Sequence, residues 1–303
     1  MPNIRRSKVV SLKEAVAEFV KAGSSLGIGG IMHDNRPCAF IREVARQGIG
    51  DLTLYSGPVS GYDVDLLIGA GLVKETRLSM VSLGDLGLAP NFRKAVEGGE
   101  IKAHLLDIVT DCAGLLAGIQ RQPYHFVQSL KGTSMLAVSP LYETLTDSHG
   151  DKFTAVKAFI PDVTVLHTEQ ADEYGNIRNL TPVILNRMIA KAAKKVVVTV
   201  EEIIPHSEIL REPTKTTLGT HWVHAVIEVP YGAHPCSTAY YRADEKHLRE
   251  YRNAAEANRL ANPAAFNEYM RKYIYEPVDN VDYLTRVGGL GRLLELKTAT
   301  GKG

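Results

Sequence analysis

Strand-like and helix-like patterns alternate through this 303-residue chain with only short breaks, and that alternation limits the fold more than any other feature. Ser11 and Glu14 have capping-box spacing ahead of Ala15, Val16, Phe19 and Val20, one helical face that Gly23 closes. Ser25 to Gly30 reads as a strand running into a glycine turn. Pro37 suits the first turn of a helix carrying Ala39, Phe40, Ile41 and Val44 up to Gly48. A strand over 51–55 and a helix over 63–71 follow, then strands over 73–83, 101–106 and 134–138 with helices between them. Later come strands over 163–167, 195–200 and 223–229, with a helix over 182–194. The pattern predicts an α/β fold, a mostly parallel open sheet with helices on both faces. From Asp244 it turns helical: Tyr251, Ala254 and Ala255 form one face, and Phe266, Tyr269, Met270 and Tyr273 another, broken by Pro277. One domain over 1–303 is expected, with 244–297 a helical C-terminal extension and a frayed tail from Thr298.

Composition excludes several classes. A net charge of +1 offers no electrostatic case for nucleic acid or an anionic membrane. No apolar run reaches the length of a membrane span, and MPNIRRSKVV lacks the apolar core of a secretory signal. Cys38, Cys112 and Cys236 are odd in number and far apart, which suits a reducing, cytoplasmic setting rather than a disulfide framework or a zinc site.

The chemistry-bearing segments each allow two readings. Gly29 and Gly30 can present backbone N–H groups to an anionic oxygen or a thioester carbonyl, or form only a tight turn. Met32 stands where a dinucleotide fingerprint needs its third glycine, and there is no Walker A lysine. Glu201 and Glu202 are placed where the strand over 195–200 should end. They read either as a nucleophile or acid/base pair, or as a helix cap and a contact to a basic neighbour. His221 and His224 stand three apart beside a strand, so metal binding is not expected. Ser24 and Ser25 lie outside a nucleophile-elbow motif. Cys38 near a helix start is either an activated thiol or a packed one. The stretch from His167 to Asn176 is read as a structural turn that can also border a pocket.

Several motifs then combine in order: Leu26 to Gly30 with Arg36-Pro37, Gly48 to Thr53, Asp65 to Gly69, Asn91 to Lys94, Val200 to Ile204, Arg211 to Lys215, and Tyr231 to Pro235. Together they resemble the A subunits of the class I CoA-transferases, in particular the glutaconate CoA-transferase branch, over nearly the whole chain. The resemblance implies a CoA thioester as substrate rather than a permanently bound cofactor. It also implies a partner B subunit of similar fold and ping-pong transfer through a glutamyl-CoA thioester. In that family the nucleophilic glutamate usually lies on B, and this chain has no Ser-Glu-Asn-Gly stretch of the kind that carries it. No catalytic residue is therefore expected here, Glu201 and Glu202 become structural, and the chain alone should be inactive.

The same resemblance implies a pocket in which Gly29 and Gly30 are backbone donors and Ser82, Gly84, Gln128 and Gly132 line the acyl site. Family members commonly carry Gly-Leu-Pro-Phe-Leu-Pro where this chain has Arg121 to Phe126, and the added His125 and Phe126 argue against glutaconate. Met80 to Gly84 looks closer to two-subunit hydrolases that open rings in steroid-derived CoA thioesters. There the A subunit supplies a glutamate in the segment equivalent to Leu105 to Cys112. Here that segment holds only Asp107 and Asp111, the candidates under a hydrolase alternative. A third reading, from another class, is a non-catalytic homo-oligomer that binds acyl-CoA.

Overall fold

The computed structural model describes residues 6–182 and 184–297, so the expected tail and the first five residues lie outside the described chain. Eleven strands form: β1 (Ser25–Ile28), β2 (Leu52–Ser56), β3 (Val73–Leu78), β4 (Lys102–Leu105), β5 (Tyr124–Val127), β6 (Tyr142–Thr146), β7 (Lys152–Lys157), β8 (Val163–Ala171), β9 (Ile177–Arg178), β10 (Lys195–Ile203) and β11 (Ala225–Glu228). The main sheet runs β11-β10-β8-β1-β2-β3-β4, all parallel, with β9 antiparallel against β8.

The central strands β2, β8 and β10 are buried over most of their length on both faces, which is why they are rich in Val, Ile and Leu, while β3 and β4 at the edge carry exposed polar residues. Val165 and Val197 join the core on one face, while Leu166, Val196, Val198 and Val200 join the core on the other. Helices Cys38–Arg46, Tyr62–Gly69 and Pro90–Glu97 bury residues in the first core, and helices Ile108–Gln120 and Asn186–Ala192 in the second. The predicted capping box forms: the Ser11 side chain accepts from the Glu14 N–H, and the Glu14 carboxylate accepts from the Ser11 N–H. Tyr251, Ala254 and Ala255 of the helix Glu245–Arg259 are buried in the first core, with Phe266, Tyr269, Met270 and Tyr273. Arg42, fully buried, ties that extension down by donating to Asn280 Oδ1 at 2.8 Å and lying 3.6 Å over the Tyr283 ring.

Three expectations are corrected. Ser134 to Val138 is not a strand; Met135–Val138 is a helical turn, in keeping with the helix preference of Met, Leu and Ala. The strand over 73–83 stops at Leu78, and the residues after it turn away in isolated bridges, Ser60 with Val81 and Ser82 with Leu88. β10 does not end before its glutamates but runs through them to Ile203. A separate antiparallel sheet, β5-β7-β6, lies outside the predicted pattern.

Candidate active site at the switch in strand order

From β1 the chain builds the sheet outward one way, through β2, β3 and β4; beyond β8 it builds the other way, through β10 and β11. β1 and β8 are therefore the switch point, and the crevice beyond their carboxyl ends is the expected ligand position.

Gly29 and Gly30 directly follow β1 at its carboxyl end and are held by several contacts. The Gly29 N–H donates to the Val165 carbonyl at 2.9 Å, and the Gly30 N–H to Asn186 Oδ1 at 2.8 Å. The Gly30 carbonyl accepts from Arg36 Nη1, whose guanidinium also donates to Asp63 Oδ2 at 2.8 Å through Nε and to Ser56 Oγ through Nη2. A side chain on Gly29 would place its Cβ 2.5 Å from the Leu166 side chain. Gly30 has φ +85°, and a Cβ there would lie 2.6 Å from the carbonyl oxygens of Asp34 and Asn35. These positions need glycine for close approach. The expected role as free backbone donors is corrected, because both N–H groups already have acceptors.

Ser82 and Gly84 come to the opposite wall. The Ser82 N–H donates to the Ser60 carbonyl, and the Gly84 N–H to Ser82 Oγ at 3.1 Å. Gly84 approaches Met32 and His33, which follow directly from the glycine turn: a Cβ on Gly84 would sit 3.2 Å from Met32 Sδ and 3.4 Å from His33 Nε2. Gly84 is thus brought close to the residues that follow Gly29 and Gly30. Gln128 and Gly132 lie instead in the turn after β5, both exposed, and no hydrogen bond among the described residues links them to the glycine turn.

A third wall closes around Glu169, which is fully buried. Its carboxylate accepts from the Leu180 N–H at 2.9 Å and Thr181 Oγ1 at 3.1 Å, and Thr181 Oγ1 in turn accepts from Asn35 Nδ2. The turn over 231–238 backs this wall, since the Asn35 N–H donates to the Ser237 carbonyl. Behind it Cys38 and Cys236 are buried with sulfurs 3.7 Å apart, and burial pushes the Cys236 thiol up, so the packed reading of Cys38 fits its surroundings.

Glu201 faces inward from β10. Its Oε1 accepts from His167 Nε2 at 2.8 Å and the Tyr241 hydroxyl at 2.5 Å, and its Oε2 from the Tyr231 N–H at 2.6 Å. Glu202 faces outward and accepts from Gln170 Nε2 and the Tyr240 hydroxyl. Each carboxylate holds strands and turns together. Asp107 is the N-cap of the helix Ile108–Gln120, its Oδ1 accepting from the Val109 and Thr110 N–H groups. Asp111 differs: it is buried with Oδ2 unpaired, and burial, reinforced by the charge of Asp107, pushes its carboxyl up to about 7. Among the described residues no group of three His, Cys, Asp or Glu side chains could hold a metal ion, and no helix is long and apolar enough to cross a membrane.

Sequence reasoning included Glu169 only in a stretch read as a turn, where the structure has β8 running to Ala171; it missed Asn186 and took Arg36 only as a family marker. Their partners come from other segments of the chain, so no local pattern announces them.

Known proteins share this fold. The sequence profile described as Coenzyme A transferase matches residues 9–228. The A subunit of glutaconate CoA-transferase from Acidaminococcus fermentans is 31% identical over 98% of this chain and 97% of its own length. The crystal structure of glutaconate coenzyme A-transferase from that organism superimposes with a TM-score of 0.90 at 29% identity, covering 97% of both chains. An uncharacterised Archaeoglobus fulgidus protein is 33% identical over 96% of this chain, which spans only 64% of that relative. The cholesterol ring-cleaving hydrolase IpdA subunit of Rhodococcus jostii is 30% identical over 89% of this chain and 93% of its own length. The profile covers well over half of the residues, and the glutaconate CoA-transferase subunit matches nearly end to end in sequence and in fold: the chain belongs to the coenzyme A transferase family.

Proposed function

We propose that this chain is the A-type member of a two-subunit CoA-transferase that moves CoA between carboxylic acids, with the nucleophilic glutamate on a B subunit. The observation that carries the reading is the state of the carboxylates around the crevice. Glu169, Glu201 and Glu202 each accept at least two hydrogen bonds within the chain, and Asp63 is paired with buried Arg36. A carboxylate so engaged is a poor nucleophile, and moving it would leave buried donors unpaired. Carboxylates held in this way support a reading in which the attacking group comes from the partner.

In the proposed reaction the partner's glutamate attacks the thioester carbonyl, giving an acyl-glutamyl anhydride and CoA thiolate. The thiolate then attacks the glutamyl carbonyl, giving a glutamyl-CoA thioester and the first free acid, and a second carboxylate resolves it by the reverse steps. CoA is a transient substrate in this reading, and the three cysteines stay reduced in the cytoplasm. To test it, the chain is co-expressed with a B-type partner and treated with an acyl-CoA followed by borohydride. Reduction of one partner glutamate is expected, together with inactivity of the chain alone. If neither subunit is modified while CoA transfer proceeds, covalent transfer through glutamate is wrong.

One observation favours a second reading, a CoA-thioester or C–C hydrolase. Asp111 is a buried carboxyl with a free oxygen and a titration near neutrality, the state needed for general acid/base work, and a relative named as a ring-cleaving hydrolase matches nearly full length. That reading expects free acid with water as the acceptor and loss of the rate in Asp111→Asn. An unchanged hydrolysis rate in that variant removes it.

A further inference from the structure

The residues that frame the glycine turn leave an unusual set of polar atoms unsatisfied. His33 Nδ1, Asn35 Oδ1, Ser60 Oγ and Asn186 Nδ2 are all buried without a hydrogen-bond partner. An orphaned buried polar atom is costly, and several around one crevice point to a polar group that joins them on binding.

The chemistry of each atom separates them. Asn35 already donates through Nδ2 to Thr181, so its free atom is an acceptor. The Ser60 hydroxyl rotates and the His33 proton can sit on either nitrogen, so neither has a fixed polarity. Asn186 has one. Its Oδ1 accepts the Gly30 N–H at 2.8 Å, which fixes the amide orientation and leaves Nδ2, with its two N–H bonds, as the free end. The residue is 2% exposed, so this donor is shielded from bulk water. It also sits against Gly29, where a Cβ would approach its Oδ1 to 3.1 Å.

We propose that the side-chain amide nitrogen of Asn186 is the hydrogen-bond donor to the carbonyl oxygen of the bound acyl thioester. It takes over the part that the engaged N–H groups of Gly29 and Gly30 cannot play. When the partner's carboxylate adds to the thioester carbon, the carbonyl electron pair moves onto oxygen, and that oxyanion gains a donor oriented before the reaction begins. A donor held by the fold and screened from water costs little reorganisation at that moment, and it acts more strongly on the oxyanion than on the ground-state carbonyl. The inference rests on the transferase reading for the source of the nucleophile, and only the thioester carbonyl is needed for the donor itself.

Asn186→Asp tests it, because aspartate keeps an acceptor for the Gly30 N–H and removes the donor. The variant and the wild type, each purified with the B-type partner, are compared for assembly, melting temperature, calorimetric binding of butyryl-CoA and single-turnover loss of its thioester. Expected is retained assembly with a fall of about 10²–10³-fold in the single-turnover rate, as for other lost oxyanion donors. Asn186→Ala should be equally slow and also less stable, since it frees the Gly30 N–H. A rate in Asn186→Asp within about threefold of wild type overturns the proposal. The two readings fail separately. A glutamyl adduct formed equally fast in both proteins keeps the transferase and removes the donor. No adduct in either, with butyryl-CoA binding weakened about tenfold in Asn186→Asp, keeps the donor and removes the transferase. If the variants do not fold, the infrared band of carbonyl-13C butyryl-CoA bound to the wild-type complex decides. A shift to lower frequency is expected, and an unshifted band overturns the proposal.

Discussion

Glu201→Gln separates a chemical from a structural role for the residue that most invites a catalytic reading. Glutamine can keep an acceptor oxygen for His167 and Tyr241 at the Oε1 position, but it then turns an NH2 group toward the Tyr231 N–H, which now donates to Oε2 at 2.6 Å. One hydrogen bond to a carboxylate is lost, about 1.5–3 kcal/mol, and two donors face each other in a partly buried site, about 1 kcal/mol more. A net loss of about 3 kcal/mol in a chain of 303 residues lowers the melting temperature by about 5 °C. Scanning calorimetry on the purified complex reads that shift, and the transfer rate per folded molecule is measured at 25 °C, below the transition. A structural Glu201 gives the lower melting temperature with a rate within about threefold of wild type. A melting temperature within about 1 °C of wild type, with a rate lower by about 100-fold or more, would show that Glu201 acts on the substrate and refute the reasoning.

Gly30→Ala forces a Cβ to 2.6 Å from two backbone carbonyl oxygens at positive φ, and should cost at least about 2 kcal/mol, read as a lower urea midpoint. Arg36→Met leaves the Asp63 carboxylate buried and unpaired, an expected loss of about 3–5 kcal/mol, and Arg36→Met with Asp63→Leu should recover part of it. If the double variant is no more stable than the single one, the pair is not the reason. Asp111 carries a pH dependence whose direction is fixed: its folded carboxyl titrates at about 7, above its ordinary value of 3.8. The stability it contributes is fully present below 3.8 and is lost as pH rises to about 7, at most about 4 kcal/mol, with buried Asp65 adding a smaller loss that ends near 6. Asp111→Asn should flatten the decline and raise the melting temperature at pH 8; an unchanged profile counts against a buried, proton-holding Asp111.

What could be read from the sequence was local, and what could not was relational. The capping box at Ser11 and Glu14, the helix after Pro37 and the buried face of Tyr251, Ala254 and Ala255 are each written within one or two helical turns, so they survive without knowledge of neighbours. The central strands β8 and β10 were recognisable because burial on both faces demands continuous apolar runs. The β5-β7-β6 sheet pairs Tyr124 with Lys157 across more than thirty residues, and nothing in either segment names the other. The site shows the same divide more sharply. Ser82 and Gly84 reach the glycine turn through Met32 and His33, a contact that follows from β3 stopping at Leu78. The role first assigned to Gly29 and Gly30 failed for a relational reason as well: a glycine turn advertises exposed N–H groups, but Val165 and Asn186 arrive from distant segments to occupy them. Asn186 stands in a short helix of ordinary composition, and only the Gly30 N–H it binds fixes which end of its amide is free. Polarity at this crevice is thus set by which partners are already taken, and that assignment exists only once β1, β8 and the helix Asn186–Ala192 have come together.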